Sequence, residues 1–175
     1  ALVGFGDWAQ MQNYLAEIGF MPDPRHKVIC RYQYEGLIVD IMPDQESPIG
    51  ATNRWFAPGI KHRETQIING TEIYRMPLPY FLASKIEALN DRGTDLRWSH
   101  DLEDIIVTIN NVQKLIVEKI PEHQEVQRYV GSFFTELLSK ATANEIIAAQ
   151  LSPIAAKQRL GIILNRIELL AKLAN

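Results

Sequence analysis

The sequence is poor in the features that most often announce a function. It has one cysteine, Cys30, so no internal disulfide can form and a reducing compartment, the cytoplasm, is expected. No apolar run is long enough to span a bilayer, so no membrane role is expected. Residues 1–20 lack the basic start and small-residue cleavage site of a secretory signal. There is no excess of positive charge: the net charge is −3 and the pI about 5.8, against a non-specific nucleic-acid binder. No P-loop, dinucleotide fingerprint, internal repeat or low-complexity tract is present. His26, His62, His100 and His123 have no metal-ligand spacing with Cys30. Ser99, His100 and Asp101 are chain neighbours, which cannot build a nucleophile–base–orienter geometry.

What remains is an ordinary globular balance over 175 residues, 46% hydrophobic and 22% charged, enough for a core with an appended bundle. Residues 7–18 place Trp8, Met11, Tyr14, Leu15 and Ile18 on one helical face, with Asp7 as N-cap and Gly19 just past the end. Residues 27–34 and 37–42 read as strands joined by a tight turn at Glu35-Gly36. Residues 43–63, rich in Pro, Gly, Asn and Ser, predict a long loop. Asn69-Gly70 between residues 64–68 and 71–75 is a strong hairpin signal. Pro79 opens a helix to about Arg92, with Leu82, Ile86 and Leu89 as its stripe.

Helices dominate thereafter. Leu102, Ile105, Ile106 and Ile109 back a helix over 101–109, ended by Asn110-Asn111. A stripe from Val126 to Leu138 marks 123–140, and its Tyr129, Phe133 and Phe134 read as core. Ser152-Pro153 caps a last helix, 153–173. Strands first and helices last predict an α+β chain: an α/β core over 1–94, then a helical region over 95–175 packed on it.

Two stretches carry candidate chemistry. In GLIVDIMPD (36–44), Asp40 sits inside an apolar, β-branched run expected to be buried on at least one face. Its carboxylate must be paired, hydrogen-bonded, bound to a cation or turned toward a cleft or water, because a lone buried charge is very costly. A hard cation such as Mg²⁺ takes oxygen ligands of this kind, whereas Asp44 reads as a turn residue. In residues 79–104, Lys85 lies beside the buried stripe, where it can snorkel or meet phosphate as a point charge. Asp101 and Asp104 stand at i and i+3 and share a face. Asp101 could equally cap its helix, and Asp104 could pair with Arg92 or Arg97.

Five stretches in order, FGDWAQMQNYLAEIGF (5–20), VDIMP (39–43), IGATNRWF (49–56), INGTEIYRMPLPYFLASKIEAL (68–89) and SHDLEDI (99–105), resemble the nucleotidyltransferase family of AbiEii/AbiGii-type toxins. These are the enzymatic halves of type IV toxin–antitoxin pairs. The resemblance implies a DNA-polymerase-β-like nucleotidyltransferase fold: a small mixed sheet with flanking helices, then a helical region. It implies Mg²⁺-dependent transfer of a nucleoside monophosphate from an NTP to a hydroxyl on RNA, a protein or a small molecule, with an antitoxin protein as a partner. It puts a metal-binding carboxylate on Asp40, a triphosphate contact on Lys85, and on Asp101 and Asp104 the orientation of Lys85 or of substrate. The family's first motif, a Gly-Gly or Gly-Ser turn followed by Asp-x-Asp, is not in this chain. The chain starts at Ala1 without an initiator Met, so a processed, cut or partly observed N-terminus is expected. Two-metal catalysis needs several carboxylates around cations about 3.5–4 Å apart. A chain truly beginning here is therefore expected to be inactive, which leaves the alternative of a non-catalytic nucleotide-binding or partner-binding module on the same fold.

Overall fold

In the computed structural model, the residues described are 2–3, 8–25, 29–44, 53–93, 95–113, 115 and 119–175. The chain is α+β and divides into two compact units, Ala1–Pro77 and Leu78–Asn175. The expected break near residue 94 instead falls inside the second unit, because the helix that begins at Leu78 packs on the helices that follow it.

The first unit holds all the described strands. β1 (Leu2–Val3) precedes helix α1 (Trp8–Glu17). α1 ends as its sequence dictates: Gly19, at φ +94°, donates to Ala16 O (3.1 Å), and Phe20 donates to Leu15 O (2.8 Å). This satisfies two of the last carbonyls through a left-handed residue that glycine adopts without strain. The buried face of α1 is narrower than expected. Met11 and Leu15 are buried, but Tyr14 and Ile18 are exposed. The expected cap, Asp7, lies outside the described residues.

β2 (Met21–Pro22), β3 (Arg31–Tyr34) and β4 (Leu37–Asp40) form an antiparallel sheet in that order. Glu35 (φ 48°) and Gly36 (φ 82°) close the β3–β4 turn, both left-handed as a two-residue hairpin loop requires. β5 (Met42–Pro43) pairs in parallel with β1, forming a separate two-stranded sheet. The described strands thus make three small sheets, not the single mixed sheet expected. The core of this unit is Met11, Leu15, Tyr32 and Ile41, with Phe20 and Val39 packed against it. The apolar run 37–42 is buried only toward its end, and Leu37 and Ile38 lie on an exposed edge strand.

The loop expected over 43–63 contains a helix, α2 (Phe56–Lys61). Six residues including Pro58 and Gly59 carry too little periodicity to declare it, and buried Trp55 anchors its start. β6 (Glu64–Ile68) and β7 (Thr71–Arg75) form the expected hairpin around Asn69 (φ 50°) and Gly70 (φ 80°).

Among its described residues the second unit is helical throughout: α3 (Leu78–Arg92), α4 (His100–Asn111), α5 (Gln124–Ser139), α6 (Ala143–Ala149) and α7 (Pro153–Ala171). The predicted stripes supply most of its core, but Tyr129 and Phe133 of α5, expected in it, are only half-buried. Leu82, Ile86 and Leu89 of α3 are at most 3% exposed, and Leu102, Ile105, Ile106 and Ile109 of α4 are fully covered, as is Phe134 of α5. Each such side chain contributes roughly 1.5–3 kcal/mol by leaving water. Ser152 caps α7 through Oγ, which accepts from Ala155 N, with Pro153 in the first turn. Two arginines of α7 close the carboxyl end of α4: Arg159 donates to Asn110 Oδ1 and O, and Arg166 to Ile109 O and Asn110 O. Cations are favourable at that negative end of the helix dipole. α6 had no signature in the sequence, being two turns long without a capping side chain. Buried Gln150, just beyond it, donates to Leu96 O (3.0 Å) and Arg97 O (3.2 Å) and so pins the turn that leads into α4.

Candidate functional site

The second unit brings three of the four predicted site residues together. Lys85 and Arg92 are seven residues apart on α3, two turns along one face. Asp101 and Asp104 share a face at the start of α4. Lys85 Nζ donates to Asp104 Oδ2 at 2.6 Å and lies 3.8 Å from Asp101 Oδ1. Arg92 Nη1 donates to Asp101 Oδ2. Burial grades the pairs: the Asp101 side chain is 6% exposed, Lys85 29%, Asp104 52% and Arg92 62%.

The local sequence explains the placement. Ser99, not Asp101, caps α4, its Oγ accepting from Leu102 N at 3.3 Å. Asp101 therefore sits inside the first turn, where a carboxylate is favoured by the helix dipole, and faces α3. Of the alternatives read from sequence, Arg97 pairs instead with Asp95, and Arg92 takes Asp101 and not Asp104. The seven-residue spacing of Lys85 and Arg92 was the available signal that both cations share a face. Sequence reasoning also passed over Trp98. It stands 82% exposed at the end of the short 3₁₀ turn Leu96–Trp98, three residues before Asp101.

Chemically, the cluster is a clamped ammonium. With two cations and two carboxylates it is formally neutral, so it is not an open anion trap. Asp101, buried and doubly paired, fixes the position of Lys85. Asp104 is the carboxylate that an incoming phosphate would displace, because it is half exposed and holds Lys85 by one hydrogen bond.

Asp40 belongs to the first unit and has a different company. It is the last residue of β4 and lies directly across from Arg31 of β3. Side chains alternate along a strand. Val39 and Ile41 turn to the core, so Asp40 takes the opposite face beside Arg31. Arg31 Nε donates to Oδ1 at 2.7 Å and Nη2 to Oδ2 at 2.9 Å, a bidentate pair with Asp40 43% exposed. The counter-charge of this acid is a guanidinium. The neighbouring polar face carries Asp23, which accepts from Arg25 and Gln33. Among the described residues no group of three or more His, Cys, Asp or Glu side chains could hold a metal. Arg31 donates to both Asp40 oxygens, so among the described residues a Mg²⁺ ion at Asp40 would have to displace a guanidinium.

Two of the three described histidines are engaged elsewhere: His100 with Glu103 (3.2 Å), and His123 with the hydroxyl of buried Tyr80 (3.1 Å). His26 and the segment Gly4–Asp7 lie outside the described residues. No helix among the described residues is long and apolar enough to cross a membrane.

Comparison with family models, curated proteins and solved structures returns no match.

Proposed function

We propose that this chain is a cytoplasmic, nucleotidyltransferase-like protein that engages an NTP through Lys85. The observation that supports the reading most is the Lys85 ammonium, held 2.6 Å from Asp104 and 3.8 Å from Asp101. A lysine so placed meets phosphate as a positioned point charge, and positioning with charge neutralisation is most of what phosphoryl-type transfer asks of a protein. In this reading a hydroxyl of RNA, a protein or a small molecule attacks the α-phosphorus. The bond from that phosphorus to pyrophosphate breaks, pyrophosphate leaves and the hydroxyl proton is released. Mg²⁺, when bound, would neutralise triphosphate charge. Within the chain, Asp101, itself paired with Arg92, keeps Lys85 in place, while Asp104 yields it to phosphate. The resemblance adds a toxin role and an antitoxin protein as partner.

A second reading is favoured by the Arg31–Asp40 pair: a non-catalytic nucleotide-binding or partner-binding module. One experiment separates them. The chain, and the product of its natural gene, are incubated with α-³²P-labelled NTPs, Mg²⁺, and RNA or protein acceptors, alongside equilibrium NTP binding. The transferase reading expects label transfer that falls at least a hundredfold in Asp40→Ala and in Lys85→Ala. The module reading expects NTP binding lost in Lys85→Ala, unchanged in Asp40→Ala, with no transfer by any form. Absence of NTP binding by every form refutes both nucleotide readings.

A further inference from the structure

The first unit contains a half-open cavity of about 540 Å³, lined by α2, β5, β7 and the residues that flank them. Its lining shares no residue with the Lys85 cluster, and it does not rest on the proposed function. Its volume is that of a small-molecule site. The floor is apolar: Met42, Ile60 and Met76, with Met76 packed so closely on Gly59 that a Cβ there would come within 2.7 Å of Met76 Cε. Two arginines also line the cleft: Arg63, with its guanidinium carbon 4.9 Å from the centre of the Tyr74 ring, and Arg75.

The two arginines differ in what they hold. Arg75 is neutralised by Glu64, its cross-strand neighbour, at 2.7 Å. Among the described residues no carboxylate pairs with Arg63. Among them its one hydrogen-bond acceptor is the Ile60 carbonyl, at 3.3 Å. Five guanidinium N–H donors, a fixed plane and the ring stack leave Arg63 preorganised at the mouth of an apolar cleft with most of its donors uncommitted. Tyr74 cannot supply the missing charge, since its hydroxyl donates to Glu72 (2.9 Å).

We propose that this cleft is a binding site for a small aryl anion. The ligand's flat apolar body lies on Met42, Ile60 and Met76, and its carboxylate or phosphate is taken by Arg63. Methionine suits such a floor, being polarizable and favourable against ring edges. The two headgroups share the chemistry that a guanidinium fork reads.

The test uses the four methionines as reporters. The whole chain is labelled at its methionine methyl carbons and titrated with 1-naphthoate, 1-naphthyl phosphate or uncharged 1-naphthol, followed by NMR. Met42 and Met76 line the cleft, whereas Met11 is in the core and Met21 is exposed elsewhere. The expected result is saturable movement of the Met42 and Met76 methyls with either anion, the tighter one naming the headgroup. Binding should be at least about tenfold weaker for 1-naphthol and for Arg63→Gln. Tyr74→Leu, also at an exposed position, should weaken it in the same direction. Stationary Met42 and Met76 resonances with both anions overturn the proposal. So does Arg63→Gln binding them as tightly as the parent while its free-state methyl spectrum is unchanged.

Discussion

Asp101 and Asp104 carry the same charge on the same helix face, three residues apart, yet should differ sharply in their value to stability. In Asp101→Ala the chain loses a charge-assisted hydrogen bond from Arg92 in a 6%-exposed setting, worth about 1.5–3 kcal/mol. It also loses a favourable charge in the first turn of α4, worth about 0.3–1 kcal/mol. Relief of the carboxylate's own desolvation offsets part of this, so about 2–3 kcal/mol remains. Lys85 is not stranded, because Asp104 still holds it. In Asp104→Ala a pair with a half-exposed carboxylate is lost, worth at most about 1 kcal/mol. For a chain of this size 1 kcal/mol moves Tm by about 2–4 °C. Thermal unfolding followed by far-ultraviolet circular dichroism should thus show a loss of about 5–10 °C for Asp101→Ala and at most about 3 °C for Asp104→Ala. In 1 M NaCl, where the Debye length is about 3 Å, the smaller effect should vanish and the larger persist. Equal losses for the two variants, or a large Asp101 effect abolished by salt, would refute the claim that burial separates these carboxylates.

Two glycines in helices should respond oppositely to alanine. A Cβ at Gly131 of α5 would overlap the backbone of Leu173 and Ala174, 2.7 Å from the Leu173 carbonyl carbon, so Gly131→Ala should cost at least about 1–3 kcal/mol by displacing that segment. Gly161 of α7 has open space around it, and Gly161→Ala should stabilise by roughly 0.5–1 kcal/mol; urea midpoints of the two variants check both signs. The Cys30 thiol is pushed above its ordinary value of 9.0, first by burial and then by the charge of Asp40. Because the folded value is the raised one, the fold favours the protonated thiol. That contribution is complete below about pH 9 and is lost as pH rises through the folded value. Iodoacetamide should accordingly label Cys30 at pH 8.5 much more slowly than it labels the urea-unfolded chain, and equal rates would contradict the burial.

What the residues announced by themselves was local. The 3.6-residue stripes of α3, α4 and α5, the left-handed pairs Glu35-Gly36 and Asn69-Gly70, the Gly19 helix end and the Ser152-Pro153 start of α7 each depend on neighbours within a few positions. They were legible for that reason. α2 and α6 were not, because six or seven residues span less than the period needed to reveal a face. The candidate site was legible only as a set of residue types. That Lys85 lies between Asp101 and Asp104 while Arg92 takes Asp101 depends on how α3 meets α4, a contact over as many as 19 residues of chain. Asp40 shows the same division. Alternation along β4 put it opposite Val39 and Ile41, but only the register of β3 against β4 placed a guanidinium across from it. An ion's worth depends on distance and on the water left around it. Both are set by packing between segments, which no local pattern encodes.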